Sequence, residues 1–217
     1  MITMDTVQNL IFDLGDVLIS YRWCDMLQDY GLSRDEALRI GNEMFNDDEK
    51  LWHEYDLGKY TKEGIIEAYK KEFPDDGDVI AWFIRHGEYM CVPRPQVWDM
   101  VHRLKKKGYG IYLLSNYPED LFYKHTEYAE FMQDLDGMTI SYQVHLAKPD
   151  KAIYEFLCRQ YRLEPEECLF FDDRRANIDA ARDFGMKGQL VLSSENLRED
   201  LQHVLEGSPL KERVKKE

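Results

Sequence analysis

Four short segments of this chain set reactive side chains directly behind apolar runs. Asn9-Leu10-Ile11-Phe12-Asp13-Leu14-Gly15-Asp16-Val17-Leu18 ends its apolar run in a carboxylate and follows it with glycine. Gly110-Ile111-Tyr112-Leu113-Leu114-Ser115-Asn116 ends in a hydroxyl and an amide. Leu146-Ala147-Lys148-Pro149-Asp150 places a lysine just before a Pro-Asp helix start, and Cys168-Leu169-Phe170-Phe171-Asp172-Asp173 ends in two adjacent carboxylates. A carboxylate such as Asp13 is either a turn residue, which Asp favours for local reasons, or a nucleophile that divides a difficult step into two. Ser115 and Asn116 equally suit a helix N-cap, and Lys148 suits a solvated loop.

The elements that would hold these residues decide between the readings. A buried parallel strand reads as a short continuous apolar run. Asp13 would then stand at a strand's carboxyl end, where open α/β sheets place their ligand crevice, and Gly15 frees the backbone to turn sharply there. Strands are predicted near 109–114, 168–172 and 189–193, with another from Met138 to Tyr142. Ile153, Phe156, Leu157 and Tyr161 share one helix face, as do Ile178, Ala181 and Phe184 before Gly185 stops that helix.

Residues 21–92 read as successive helices with no strand. Ser33-Arg34-Asp35-Glu36 has the capping-box pattern and opens a helix through about Phe45. Trp52, Tyr55 and Leu57 follow on a short helix that Gly58 ends, and Thr61 caps the next. A further helix carries Val79, Trp82, Phe83, His86 and Met90. Pro93 and Pro95 mark a boundary, after which a helix runs to Gly108.

In this order the segments resemble the haloacid dehalogenase-like hydrolases, whose pattern is strand-Asp, strand-Ser/Thr, Lys-Pro and strand-Asp-Asp. The resemblance covers roughly residues 7–193 and is closest to a subgroup with Gly where other members carry a second Asp. It implies an α/β fold: a Rossmann-like parallel-sheet core, residues 1–19 and 94–217, with an inserted all-helical cap domain, residues 20–93, closing over the strand ends.

The resemblance also implies the chemistry. Phosphate monoesters are so inert that enzymes accelerate their hydrolysis by up to roughly 10²¹-fold. Asp13 is the expected nucleophile, forming an aspartyl-phosphate. Mg²⁺ is the expected cofactor, offsetting charge between carboxylate and ester; its ligands would be Asp13, the Gly15 carbonyl and the pair Asp172 and Asp173, of which Asp173 would bind directly and Asp172 through water, or the reverse. Ser115 and Asn116 would donate to the phosphoryl group, and Lys148 would neutralise charge on Asp13 and on the phosphate. The expected function is Mg²⁺-dependent hydrolysis of a small phosphorylated metabolite such as a sugar phosphate. The alternative is a catalytically weak or silent member that binds a phosphate ligand or a protein.

Gly15 is the departure. Most phosphatases of this family carry an acid–base Asp there, and such help is typically worth about 10²–10⁴-fold. Asp16 could stand in, although a turn role fits it better. An aspartate restored at Gly15 is expected to speed esters with poor leaving groups. Arg174 and Arg175 read as a solvated helix start before a source of local positive potential, and Trp23, Trp52 and Tyr21 as core before a cap face toward substrate; the six histidines show no ligand spacing, and only His145, near Lys148, could reach the crevice.

Composition bounds the rest. A net charge of −14 over 217 residues lacks the basic footprint that nucleic acid requires. No stretch approaches about 18 consecutive apolar residues, so no membrane span is expected. The N-terminus lacks a signal-peptide pattern and the four cysteines form no CxxC pair, which fits reduced thiols and a cytoplasmic protein. The expected partner is a small-molecule phosphate ester, the expected state a monomer or weak homodimer, and the charged tail after Gly207 is expected to fray.

Overall fold

Leu10, Ile11 and Phe12 form the heart of strand β1 (Asn9–Phe12) and are fully buried. Because successive side chains of a strand point to opposite faces, Leu10 and Phe12 enter one hydrophobic core and Ile11 a second. A strand covered on both sides needs apolar residues throughout, which is why this one does not alternate.

The computed structural model describes residues 1–45 and 50–213. After β1 come β2 (Ile19–Tyr21), α1 (Trp23–Asp29), α2 (Arg34–Phe45), α3 (Lys50–Asp56), α4 (Lys62–Glu72) and α5 (Gly77–Arg85). They are followed by β3 (Cys91–Pro93), α6 (Pro95–Lys107), β4 (Gly110–Ser115), α7 (Glu119–Thr126), β5 (Gly137–Ile140) and α8 (Ser141–Val144). The chain continues through α9 (Lys151–Tyr161), β6 (Cys168–Asp172), α10 (Arg175–Phe184), β7 (Lys187–Leu190) and α11 (Ser194–Glu206).

Five strands make one parallel sheet in the order β5-β4-β1-β6-β7. β4 and β5 extend it to one side of β1, β6 and β7 to the other, so the order reverses at β1. Such a switch point leaves a crevice at the strands' carboxyl ends. Helices α9 and α10 cover one face, and α6 and α11 contribute to the core on the other. The fold is the expected α/β, Rossmann-like arrangement. Pro95 opens α6, and Gly108 ends it in the left-handed region.

The helices α1–α5 form the block between β1 and β4. Their buried residues, among them Met26, Ile40, Ile65 and Phe83, join the core on the Leu10 and Phe12 face of the sheet. The expectation that 21–92 holds no strand is corrected at its edges. β2 and β3 pair antiparallel, with Ile19 opposite Pro93 and Tyr21 opposite Cys91, so a two-stranded ribbon carries the chain into and out of the helical block. Three-residue strands, one of them ending in proline, are too short for the apolar pattern to reveal.

Other boundaries moved as well. The helix expected to reach Met90 ends at Arg85, and a 3-10 turn occupies Gly87–Met90. A Cβ on Gly87 would collide with Leu121, so the chain there packs too closely against α7 to continue a bulkier helix. Tyr142 lies in α8 rather than in a strand, and the last strand begins at Lys187, two residues early. The tail is ordered as far as it is described: Leu210 is buried and exchanges backbone hydrogen bonds with Ile2, and Arg213 pairs with Asp200 at 3.0 Å. The final four residues lie outside the described ones. None of the described helices is long and apolar enough to cross a membrane.

Candidate active site

Strand register brings the four sequence segments together. Phe12 pairs with Phe171, so Asp13 comes level with Asp172, and the Asp13 amide donates to the Phe171 carbonyl at 2.9 Å. Ser115 closes β4 on the other side of β1, and Lys148 arrives from the loop after α8. All four segments meet at the carboxyl edge of the sheet.

Asp13 is held by three donors that all meet Oδ1: the Leu14 amide at 2.8 Å, the Ser115 hydroxyl at 2.7 Å and Lys148 Nζ at 2.8 Å. Its Oδ2 accepts no hydrogen bond from the described residues. Lys148 is buried, 3% exposed, and its ammonium also reaches Asp172 Oδ2 at 2.7 Å. Burial alone would push the lysine pKa down, but the charges of Asp13 and Asp172 hold it above the usual lysine range, so the group is an ammonium. Lys148 is therefore no solvated loop lysine.

The two carboxylates that end β6 differ in their surroundings. Asp172 is fully buried, and both oxygens are occupied: Oδ1 accepts from the Arg174 amide at 2.7 Å and Asn177 Nδ2 at 3.0 Å, Oδ2 from Lys148. Asp173 is half-buried and accepts nothing from the described residues. Burial first, then the charges of Asp13 and Asp172, push its pKa up to about 7. Single carboxylate oxygens of Asp13, Asp172 and Asp173 lie within 4.8 Å of one another.

Asn116, expected to donate to a phosphoryl group, has both ends of its amide committed to Lys148. Its Nδ2 donates to the Lys148 carbonyl at 2.9 Å, and its Oδ1 accepts from the Lys148 amide at 2.8 Å. The amide thus fixes the main chain from which the buried ammonium extends.

These residues floor a cavity of about 670 Å³ whose far wall is the helical block. Trp23, Phe45, Trp52 and Met90 line it from that side, with Tyr21 and Tyr117 between. Trp23, Trp52 and Tyr21, read from sequence as core, face the cavity. Phe45 packs edge-on against Trp52, ring centres 4.6 Å apart, and against Trp23 at 5.8 Å, so the wall is one aromatic unit.

Asp16 lines the cavity too, but its Oδ1 accepts from the Tyr21 amide at 3.3 Å and faces Arg94 at 3.7 Å, with a φ of 52°. That is the turn role. Arg175 pairs with Asp179 on the surface at 3.2 Å, while Arg174 lines the cavity. His145 Nδ1 donates to the Leu57 carbonyl, 2.9 Å away, outside the cavity lining.

Sequence reasoning missed four residues. Asp56, at the end of α3, lines the cavity. Tyr117 and His125 form a buried pair at 2.6 Å behind it. Asn177, which fixes Asp172, sits in the first turn of α10. The Asp56-Leu57-Gly58 turn was the available signal for the first, since an acidic residue before a helix-ending glycine is an ordinary surface feature until the fold turns it inward.

A profile of the haloacid dehalogenase-like hydrolases matches residues 7–185. Among curated proteins, the chain is 25% identical to the sesquiterpene phosphatase astK of Aspergillus oryzae, over 84% of this chain and 89% of that protein. It is 23% identical to the D-ribitol-5-phosphate phosphatase of Bacteroides thetaiotaomicron, over 92% and 98%. Longer relatives are spanned only in part, 37% of the length in one case. Among solved structures, a magnesium complex of the HAD family enzyme bt-2542 from Bacteroides thetaiotaomicron superposes with a TM-score of 0.67 at 21% identity, covering 86% of this chain and 93% of that one. A profile match across so much of the chain, on the expected sheet, leaves one conclusion: this protein belongs to the haloacid dehalogenase-like hydrolases.

Proposed function

We propose that the protein is a Mg²⁺-dependent phosphatase that hydrolyses a small phosphorylated metabolite through an aspartyl-phosphate on Asp13. The observation that carries this reading is the geometry of Asp13 itself. Three donors converge on Oδ1 and leave Oδ2 as the oxygen able to attack phosphorus. A carboxylate serving only a turn would not need a buried ammonium beside it.

The residues suit the cation. Three carboxylates within 4.8 Å repel one another, and one buried ammonium cannot balance them. Mg²⁺ prefers such oxygen donors, keeps several waters and is held by one or two carboxylates. Asp173, without a donor of its own, and the Asp13 carboxylate would hold the ion directly, with the Gly15 carbonyl. Asp172, with both oxygens engaged, would act through water and through Lys148. When bound, the ion polarises the phosphoryl oxygens and offsets charge between nucleophile and ester.

The chain's own groups do the remainder. Lys148 balances charge on Asp13 and the phosphoryl oxygens, and Asn116 keeps it in place. The Ser115 hydroxyl, now on Asp13, rotates to donate to the phosphoryl group once the ester is bound. Residues 20–93 act as a cap over the core, residues 1–19 and 94–217, and their aromatic wall receives the alcohol part of the substrate. A sugar phosphate stacks its apolar face there; a terpene phosphate would bury its chain on the same rings.

The test is phosphate release from a panel of monoesters, including a pentitol phosphate and a sesquiterpene monophosphate, with Mg²⁺, comparing wild type with Asp13→Asn. Turnover of at least one ester that the variant loses is expected. Binding of these esters without turnover would favour the silent, phosphate-binding alternative.

A further inference from the structure

If the protein hydrolyses phosphate esters as proposed above, a proton must reach the leaving oxygen, and Gly15 carries no group to give it. We infer that Asp56, a carboxyl on the helical block, is the general acid and base of this site. The inference rests on the hydrolase reading and on four observations that concern Asp56 and its rivals.

Asp56 lines the same cavity as Asp13 and Asp173 but is carried by the helical block, at the end of α3, rather than by the sheet. A leaving alcohol must point away from the nucleophile for in-line displacement, so its acid has to come from an element other than the strand that carries Asp13, and Asp56 does.

The position of Asp56 is fixed to the sheet, although it belongs to the helical block. Its main-chain carbonyl accepts from the Ser141 hydroxyl, whose oxygen in turn accepts from the Tyr117 amide at 2.9 Å, two residues after Ser115. The neighbouring Tyr55 hydroxyl donates to Asp120 on α7, and the Leu57 carbonyl meets His145 at 2.9 Å. Three consecutive residues are thereby tied to α7, to α8 and to the residue after α8, which flank the loops carrying Asn116 and Lys148. An acid must be held within about 0.5 Å of its working position to be useful, and these ties are of that kind.

The carboxyl of Asp56 accepts no hydrogen bond from the described residues. Burial raises its pKa, Arg174 opposes this, Asp13 adds to it and Lys148 opposes it, leaving it at about 8. A carboxylic acid protonated near neutral pH is suited to donate.

The rivals are otherwise engaged. Asp16 is tied to Arg94 and the Tyr21 amide. Burial holds the Tyr21 hydroxyl well above the usual tyrosine range, and it is hydrogen-bonded to Tyr117. A group so reluctant to ionise is a poor proton donor.

In the first step an Asp13 oxygen bonds to phosphorus as the bond to the leaving oxygen breaks, and the Asp56 proton passes to that oxygen to give the alcohol. In the second, Asp56, now a carboxylate, takes a proton from water as its oxygen bonds to phosphorus. The bond to Asp13 breaks, releasing inorganic phosphate and restoring both carboxyls.

The test is a series of aryl phosphates whose leaving phenols differ in acidity, from 4-nitrophenyl to phenyl phosphate, with Mg²⁺. An acid matters least for the best leaving group. For Asp56→Asn, kcat/KM is expected within about fivefold of wild type on 4-nitrophenyl phosphate and about 10²-fold lower on phenyl phosphate. Asp56→Ala gives the same comparison if the Asn variant melts early. Equal losses on both esters would mean a merely structural role, and no loss on either would mean another acid; each overturns the inference. Failure of the wild type to release phosphate from any ester would instead overturn the hydrolase reading on which the inference rests.

Discussion

The ring of Tyr21 occupies the space that a side chain on Gly15 would need. A Cβ built on Gly15 lies 2.5 Å from Tyr21 Cε2 and 2.5 Å from its hydroxyl oxygen. The absent acid and the aromatic are thus one feature of the site: the glycine is small because the tyrosine lies on it. Tyr21 reaches this place through the β2–β3 ribbon, where it pairs with Cys91.

This reverses the expectation for Gly15→Asp. The variant would overpack the site, at a cost of about 1–3 kcal/mol, on the order of 5 °C in Tm for a chain of this length. Activity is expected to fall on good and poor leaving groups alike. In a Tyr21→Ala background the same aspartate should cost less, because contacting residues are not additive. Thermal melting of the two single variants and the double variant tests this; a Gly15→Asp protein as stable and active as wild type would show that Tyr21 moves freely.

For Asp13→Asn, turnover is expected to drop by on the order of 10⁴-fold or more, the scale on which loss of a covalent nucleophile falls. Stability should not drop with it. Lys148 keeps Asp172 at 2.7 Å, and one of three crowded carboxylates loses its charge. Function-bearing charge clusters are commonly held at some expense of stability. Phosphate release and melting of the metal-free protein are measured together, and activity within tenfold of wild type would rule out Asp13 as nucleophile.

Removing divalent cations with EDTA is expected to abolish turnover, and Mg²⁺ to restore it. Ca²⁺ should restore little, because its longer and looser coordination misplaces the carboxylate against phosphorus. Mg²⁺ should also raise the Tm of the wild type, as any ligand of the folded state does, and raise that of Asp173→Asn less. Full turnover in the metal-free protein would remove the cation from the proposal.

The sheet and the polar residues along its carboxyl edge were legible in the sequence because both rest on local rules. Apolar runs made the strands, and polar residues ending those runs marked the edge, so Asp13, Ser115, Lys148, Asp172 and Asp173 fell together. Asp56 and the facing of Trp52 were not legible. Which side of a short helix meets a cavity depends on how α3 docks against α7 and α8, and no periodicity records that. Asn116 lines the same cavity, yet its amide bonds the Lys148 main chain, a long-range pairing that a motif does not reveal.

His125 should make stability depend on pH from behind the site. Its Nε2 lies 2.8 Å from the Gly87 carbonyl, which can only accept, so that nitrogen carries the hydrogen and Nδ1 accepts from the Tyr117 hydroxyl at 2.6 Å. Burial is the main cause that lowers its pKa below the usual 6.5; the Gly87 carbonyl opposes this and Lys124 adds to it. The unfolded chain therefore takes up a proton near pH 6.5 that the folded protein refuses. The stability linked to this group is fully present above 6.5 and is lost as pH falls from there toward the folded value. A charged ring would also turn Nδ1 into a donor and reverse the bond to Tyr117, which in turn is bonded to Tyr21 over Gly15. Comparing urea midpoints at pH 7.5 and 5.5, the wild type should lose more stability than His125→Asn, whose amide can still accept from Tyr117 but does not titrate. The variant is expected to be weaker at pH 7.5 and to close part of the gap at pH 5.5. A gap that stays constant or widens on acidification would show that His125 is not held neutral.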